Sequence, residues 1–282
     1  MSAQGCAVAS LCRVLDLPRS TYYHAASAPD DAGLREAITA VLGEHPTYGS
    51  RRVTAQLRRA PHHLLVNRKR VQRVMRAMGV QRKVKRRQTR TTDSAHPYPR
   101  YPNRVKDLVV SYPDQVWVAD ITYIRLWSEF VYLAILMDVY TRVIRGWHLG
   151  RALDQDLTLT ALRQALEDHC PQIHHADQGV QYAAVAYTDL LKAHGVYISM
   201  AAVGKPEENP FAERVLRTIK EEEVDLSEYH DYADAYDQIG RFIDDVYHTK
   251  RIHSALGYLT PAEFEAAWRQ AHAEQAVPLK VG

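Results

Sequence analysis

At 282 residues, 46% of them hydrophobic, the chain is long enough for one large core and one or two smaller modules. No run of about 18 apolar residues exists, and the opening stretch MSAQGCAVASLCRVLDLPRS lacks a basic segment followed by a long apolar one, so neither a membrane span nor export is expected. The net charge of +3 conceals an asymmetry: residues 51–100 hold 16 of the 36 Lys and Arg but one of the 33 acids, a local balance of +15 that leaves −12 for the rest. Bases running from Arg51 to Arg90 without an intervening acid repel one another unless a polyanion is present, which points to a nucleic-acid-binding arm on a differently built domain.

In chain order, ASLCRVLDLPRSTYYHA places apolar residues at helical spacing to Leu15, a turn at Asp16 to Pro18, and Ser20 and Thr21 as N-caps of a second short helix. This is a helix-turn-helix outline over residues 1–30. Residues 31–80 predict a helical DNA-binding domain. LREAITAVLGEH is one helix, closing before Pro46, and SRRVTAQLRRA a second, with Val53 and Leu57 on one face. NRKRVQRVMRAMG is a third, capped by Asn67, ended by Gly79 and striped with Val71, Val74, Met75 and Met78. Its other face carries Arg68, Lys69, Arg70, Arg73 and Arg76, which either read a major groove or only grip phosphates. Residues 81–104 are aperiodic and contain Arg82, Lys83, Lys85, Arg86 and Arg87 among three prolines, a phosphate-binding linker.

The pattern then changes. VWVADITYIRL, FVYLAILMDVYTR and VIRGWHLG predict three strands in a row. DLTLTALRQALEDHC follows as a helix, QIHHAD as a short strand, AYTDLLKAHG as a helix ending at Gly195, and VYISM as another strand. Three strands followed by alternating helix and strand imply a mixed sheet flanked by helices. The three cysteines, Cys6, Cys12 and Cys170, have no metal-ligand spacing and read as reduced thiols of a cytoplasmic protein.

Carboxylates that bind a catalytic metal converge from separate, rigid parts of a chain. Asp120 sits inside the first strand, where an unpaired charge is costly. Asp177 ends QIHHAD before the Gly-containing turn QGVQY. Glu213 lies on a helix that Asn209 caps and Pro210 opens, with Phe211, Val215 and Ile219 toward the sheet and Glu213, Arg217 and Lys220 on another face. Glu207, Glu208 and Glu221 to Glu223 read as solvated or locally capping charges. Asp138 reads as a salt-bridge partner of Arg142, and His174 and His175, pointing to opposite faces of a strand, as packing residues.

Taken together, VWVADITYI, YLAILMDVYTRVIRGW, HHADQGVQY and ENPFAERVLRTIKEE resemble the catalytic core of the OrfB family of bacterial insertion-sequence transposases, which is similar to retroviral integrases. The 35 residues between Asp177 and Glu213 (178–212) match that family's Asp-Asp-Glu spacing, and Lys220 matches its basic residue seven positions on. LCRVLDLPRSTYY, YGSRRVTAQL, VNRKRVQRVMRAMGV and RIHSALGYLTPAEF extend the resemblance to nearly the whole chain. Two positions depart from it. The family's Asp-Asn-Ala is Glu208-Asn209-Pro210 here, and its Tyr-Asn is Tyr247-His248, which leaves the role of His248 open, while Arg251 and His253 match.

The resemblance implies an α/β RNase H-like core over residues 105–260, preceded by the all-α helix-turn-helix DNA-binding region and followed by a C-terminal helix and tail over 261–282. It implies Asp120, Asp177 and Glu213 as catalytic ligands of two Mg²⁺ ions, with Mn²⁺ as a substitute, and Lys220 and Arg217 as DNA contacts. The implied activity is that of a transposase that cleaves and joins DNA strands at the terminal inverted repeats of its own element by two-metal phosphoryl transfer. The implied partners are double-stranded transposon ends and target DNA, further copies of the chain assembled on DNA, and an upstream OrfA-type product, in the bacterial cytoplasm at the nucleoid. Two alternatives stand beside it: a non-catalytic DNA-binding regulator, active only as a fusion with an upstream segment, and a nuclease that cuts without joining.

Overall fold

Short helices open the chain in the computed structural model, which describes residues 7–23, 30–81, 99–127, 129–202 and 204–275. Helix α1 (Val8–Val14) is followed by α2 (Arg19–Tyr22). Pro18 occupies the cap position of α2, so Ser20 and Thr21 lie inside the helix and do not cap it as expected. Helices α3 (Ala32–Glu44), α4 (Ser50–Leu57) and α5 (Arg68–Ala77) enclose a small core that includes Ile38, Val53, Leu57, Val71, Val74 and Met75. The side chain of Asn67 accepts the Lys69 N–H at 2.8 Å at the start of α5, and Gly79 takes a φ of +72° just past its end, as the sequence predicts.

The β-branched and aromatic runs form β1 (Val116–Arg125), β2 (Phe130–Asp138) and β3 (Ile144–Gly150), joined as an antiparallel meander. Helix α6 (Gln155–Leu166), capped by the Asp154 side chain, carries the chain across the sheet to β4 (Ile173–Ala176). The turn expected at QGVQY is a short helix, α7 (Val180–Ala183), which leads through α8 (Val185–Ala193) to β5 (Tyr197–Met200). Sheet order is β3-β2-β1-β4-β5, with β4 and β5 parallel to β1. Alternate residues of β1 serve two cores. Trp117 and Ala119 pack with Leu162, Tyr187 and Leu191 on the α6–α8 face. Val116 and Val118 pack on the other face against Val215 and Ile219 of α9 (Pro210–Ile219) and Ile239 of α10 (Tyr232–Arg241). This is the mixed sheet flanked by helices, the RNase H-like arrangement, that the sequence implied.

Helices α9 and α10 continue into π-helical turns, Lys220–Val224 and Phe242–Tyr247. The second helix and its continuation were absent from the expected elements, although Ala235, Ile239, Phe242 and Ile243 are fully part of the core. The chain then returns to the N-terminal helices. Ile252 is buried among α3, α4 and α5, and its N–H donates to the Tyr48 hydroxyl at 3.0 Å. Helix α11 (Pro261–Gln275) is held by an Arg145–Glu265 ion pair at 2.6 Å on β3 and by an Arg59–Glu263 pair on the helical side.

Sheet and α6 approach closely at Gly146, where a Cβ would meet the Ala161 carbonyl oxygen at 2.2 Å and the Ala165 Cβ at 2.9 Å. Gly146→Ala is therefore expected to push α6 off β3 and to cost about 1–3 kcal/mol, the usual range for overpacking. A shift of the urea midpoint with unchanged slope would register it; an unshifted midpoint would mean that the contact is loose.

Candidate active site

Asp120 lies in the middle of β1, opposite Ile135 of β2. On its other side β4 runs parallel to β1, with Val116, Val118 and their neighbours paired to Ile173 through His175. Continuing that register by two residues sets Asp177, just past the end of β4, level with Asp120, and parallel partners point to the same face. That face is the one α9 covers, and Glu213 stands in the first turn of α9. The three carboxylates predicted from sequence thus come from a strand centre, a strand end and a helix start.

Their mutual influence is visible in Asp120. Burial, then the Asp177 carboxylate and, more weakly, Glu213 push its pKa up to about 8, against the opposing pull of the Ile121 N–H on Oδ1 and of the Lys220 charge. Asp177 Oδ1 accepts the Gly179 N–H at 2.9 Å, and a Cβ on Gly179 would sit 2.9 Å from that same oxygen, so a larger residue there would displace the carboxylate. A site made solely of carboxylate oxygens carrying excess negative charge suits a hard divalent cation in its donor chemistry. Among the described residues no group of three or more His, Cys, Asp or Glu is placed to hold a metal ion.

The supports around it were only partly foreseen. Asn209 precedes α9 but does not cap it; its Nδ2 donates to the Ala119 carbonyl at 2.9 Å, strapping the helix start to β1 beside Asp120. Glu208 is not a solvated charge. Its carboxylate accepts from Asn103 Nδ2 and the Ala202 N–H, and its carbonyl lies 3.1 Å from His175 Nε2. His175 Nδ1 in turn faces Ser199 Oγ at 2.9 Å, and the same hydroxyl accepts the Arg104 N–H. Burial holds the pKa of His175 down, and that of His174, which meets the Tyr187 hydroxyl at 2.9 Å, down to about 3. Both histidines are therefore neutral packing residues, as expected, and His175 ties β4, β5 and the start of α9 into one frame.

Other expectations need correction. Phe211 does not face the sheet; it is 39% exposed and carries the Arg142 guanidinium 4.3 Å above its ring. The buried face of α9 is Ala212, Val215, Leu216 and Ile219. Arg142 makes no salt bridge to Asp138, which is fully buried and accepts from the N–H and hydroxyl of Thr141 at 2.8 and 2.6 Å, closing the turn between β2 and β3. Glu222 and Glu223 are not in water either. Glu222 is held by Arg251 at 2.7 Å and Arg52 at 2.9 Å, and Glu223 accepts from Ser227 and Tyr229. His248 serves the structure of the sheet, since its Nε2 accepts the Ile144 N–H at 3.0 Å at the start of β3, and burial lowers its pKa to about 4.

Of the predicted DNA contacts, Lys220 Nζ lies 4.4 Å from the centre of the Tyr123 ring on β1, close enough to Asp120 to oppose its pKa rise, and Arg217 is exposed. Arg68, Lys69, Arg70, Arg73 and Arg76 are exposed along α5. Arg70 and Arg73 are already paired with Asp31 at 2.9 and 2.7 Å. Arg82, Lys83, Lys85, Arg86 and Arg87 lie outside the described residues.

Three family models match the chain. An HTH-like domain matches residues 29–88, and two integrase core domain models match residues 111–206 and 194–261. A transposase for insertion sequence element IS629 from Shigella sonnei is 33% identical over 275 residues, 93% of this chain and 92% of its own length. A transposase for insertion sequence element IS904 from Lactococcus lactis is 33% identical over 237 residues, 82% of this chain and 93% of its own. Among solved structures, the HTLV-2 integrase catalytic core domain in complex with magnesium aligns with 54% of this chain and 97% of its own at 14% identity and a TM-score of 0.45. The chain belongs to the insertion-sequence transposases with an integrase core, and it is a DNA transposase.

Proposed function

We propose that this transposase cleaves and joins DNA strands at the terminal inverted repeats of its own element, with Asp120, Asp177 and Glu213 as its catalytic carboxylates. The observation that carries the reading is the register between β1 and β4, which sets Asp177 level with Asp120 on the face that Glu213 approaches from α9. The three carboxylates hold two Mg²⁺ ions, for which Mn²⁺ substitutes. When bound, these ions supply Lewis-acid activation of a water or a DNA 3′-hydroxyl and stabilise the leaving 3′-oxygen in an in-line displacement at phosphorus. Asp120 is carried by β1, Asp177 is held by the Gly179 N–H just past β4, and the Asn209 bond straps the start of the Glu213 helix to β1. Lys220 and Arg217, farther along α9, hold a phosphate of the transposon end. The basic face of α5 grips the duplex, further copies of the chain assemble on the two DNA ends, and an upstream OrfA-type product is a partner at the bacterial nucleoid.

Metal binding tests the ligand assignment without recourse to activity. Mn²⁺ titration followed by electron paramagnetic resonance is expected to give saturable binding in the native protein and none at this site in Asp120→Asn. Equal binding by both proteins would remove Asp120 from the ligand set.

A further inference from the structure

Beside the carboxylates, on the neighbouring side of α9, two cavities meet between the helical region and the core. The first, about 640 Å³, is bounded by the start of α4, by Phe211, Arg214 and Thr218 of α9, and by residues 251–255. The second, about 490 Å³, continues along α4 past Arg58 and Arg59 to Arg68. Arg51 and Tyr258 line both, so the two form one groove. No carboxylate lines either cavity, and the first alone is walled by Arg51, Arg52, Arg142, Arg214 and Arg251. Glu222, outside the lining, pairs with both Arg52 and Arg251, which leaves one positive charge between them. Arg51, Arg142 and Arg214 complete the cationic wall, with Glu221 acting on Arg214 and Asp138 on Arg142 from outside it.

Guanidinium groups gathered this way repel one another. Arg214 shows it: burial and the nearby charges of Arg251, Arg217 and Arg52 lower its pKa. Arg142 is kept in the cavity by stacking on Phe211. Such an arrangement attracts an anion, and the elongated run from Arg142 to Arg68 suits a polymer better than a single phosphate. Along α9, residues 211, 214, 215 and 218 face the groove while Glu213 faces the sheet edge, so anything bound here lies one helix face away from Glu213.

We propose that this groove binds the phosphodiester backbone of a DNA strand and leads it from α5 across α4 to α9. Its α4 arginines belong to the basic run that the sequence marked as nucleic-acid-binding, whereas Arg142 and Arg214 lie outside that run. Direction toward Glu213 rests on the function proposed above; the binding itself does not.

The test is DNA affinity against salt, in EDTA, so that carboxylate chemistry plays no part. The probe is a labelled duplex ending in the element's inverted repeat. Arg51→Gln/Arg214→Gln removes two exposed groove cations and leaves the pairing of Glu222 with Arg52 and Arg251 in place. Its plot of log K against log salt is expected to be shallower than the native one by about 0.9 per lost phosphate contact, close to 2 in all, with affinity at physiological salt lower by about tenfold or more. Arg163→Gln/Lys192→Gln, an equal charge change on the α6–α8 face, is expected to keep the native slope. An unchanged slope in the groove variant, or an equal loss in the control, would overturn the proposal. So would displacement of the duplex by inorganic phosphate at matched ionic strength, because the site would then serve a free anion. If the groove variant behaves as expected but the carboxylate variants still join DNA, the groove stands and the catalytic assignment alone fails.

Discussion

Glu213→Gln is expected to lower strand joining by about 10³-fold while leaving the thermal midpoint unchanged or slightly raised. A ligand to a catalytic metal contributes several kcal/mol to the transition state, and each 1.36 kcal/mol is a factor of ten. The stability half of the expectation follows from the charges. Asp120 has its pKa lifted to about 8 by burial, by Asp177 and in part by Glu213, so the neighbouring carboxylates disfavour its charged form. Removing one charge without changing its size relieves repulsion, and the buried side of α9 (Ala212, Val215, Leu216, Ile219) is untouched. Activity lost together with the fold would point to Glu213 as a structural residue. Activity retained in a folded variant would remove it from the chemistry.

Glu222→Ala should be the most damaging substitution away from the carboxylate site, destabilising the protein by about 3–5 kcal/mol, the usual consequence of leaving a buried charge unpaired. Glu222 and Arg251 are 8% and 7% exposed, and Arg251 binds both carboxylate oxygens, at 2.7 and 2.9 Å. Arg52 of α4 adds a third bond at 2.9 Å, so one carboxylate ties the helical region, α9 and the segment that buries Ile252. Burial alone would raise the Glu222 pKa; the hydrogen bonds and charges of Arg251 and Arg52 bring it down to about 2. A depressed carboxylate contributes stability that is complete above its ordinary value of 4.5 and disappears as pH falls toward 2. The stability gap between native protein and variant, from urea unfolding, should therefore be full near neutral pH and close through that acid window. A gap below about 1 kcal/mol at neutral pH would mean that the pair behaves like a surface contact.

Local patterns were legible in the sequence wherever they determine structure locally. The β-branched runs gave three strands, Asn67 and Gly79 bounded α5, and the change of period marked the core. The carboxylates were legible because their positions, a strand centre, a strand end and the first turn of a Pro-started helix, are properties of nearby residues and of family spacing. What escaped depends on partners far away in the chain. Glu222 looked solvated because Arg52 lies 170 residues before it, and His248 lacked a role because the N–H it accepts is 104 residues away. Asn209 looked like an ordinary cap, yet its amide is drawn off by the Ala119 carbonyl of β1. Phe211 fits the apolar period of α9, but Arg142, thrown toward it by the turn after Asp138, makes an exposed ring the better outcome. Of the groove arginines, those of α4 and Arg68 were legible as part of the basic run, but Arg142 and Arg214 were not, because α4, α9 and residues 251–255 meet only in the folded chain.

Strand joining on purified protein tests the catalytic role proposed for Asp120 and Glu213 most directly. Labelled duplexes ending in the element's own inverted repeat are incubated with target DNA in Mg²⁺ or in EDTA, with native protein, Asp120→Asn and Glu213→Gln in parallel. Joined products are expected only where the metal and both carboxylates are present. Joined products formed in EDTA, or by either folded variant at the native rate, would contradict that role.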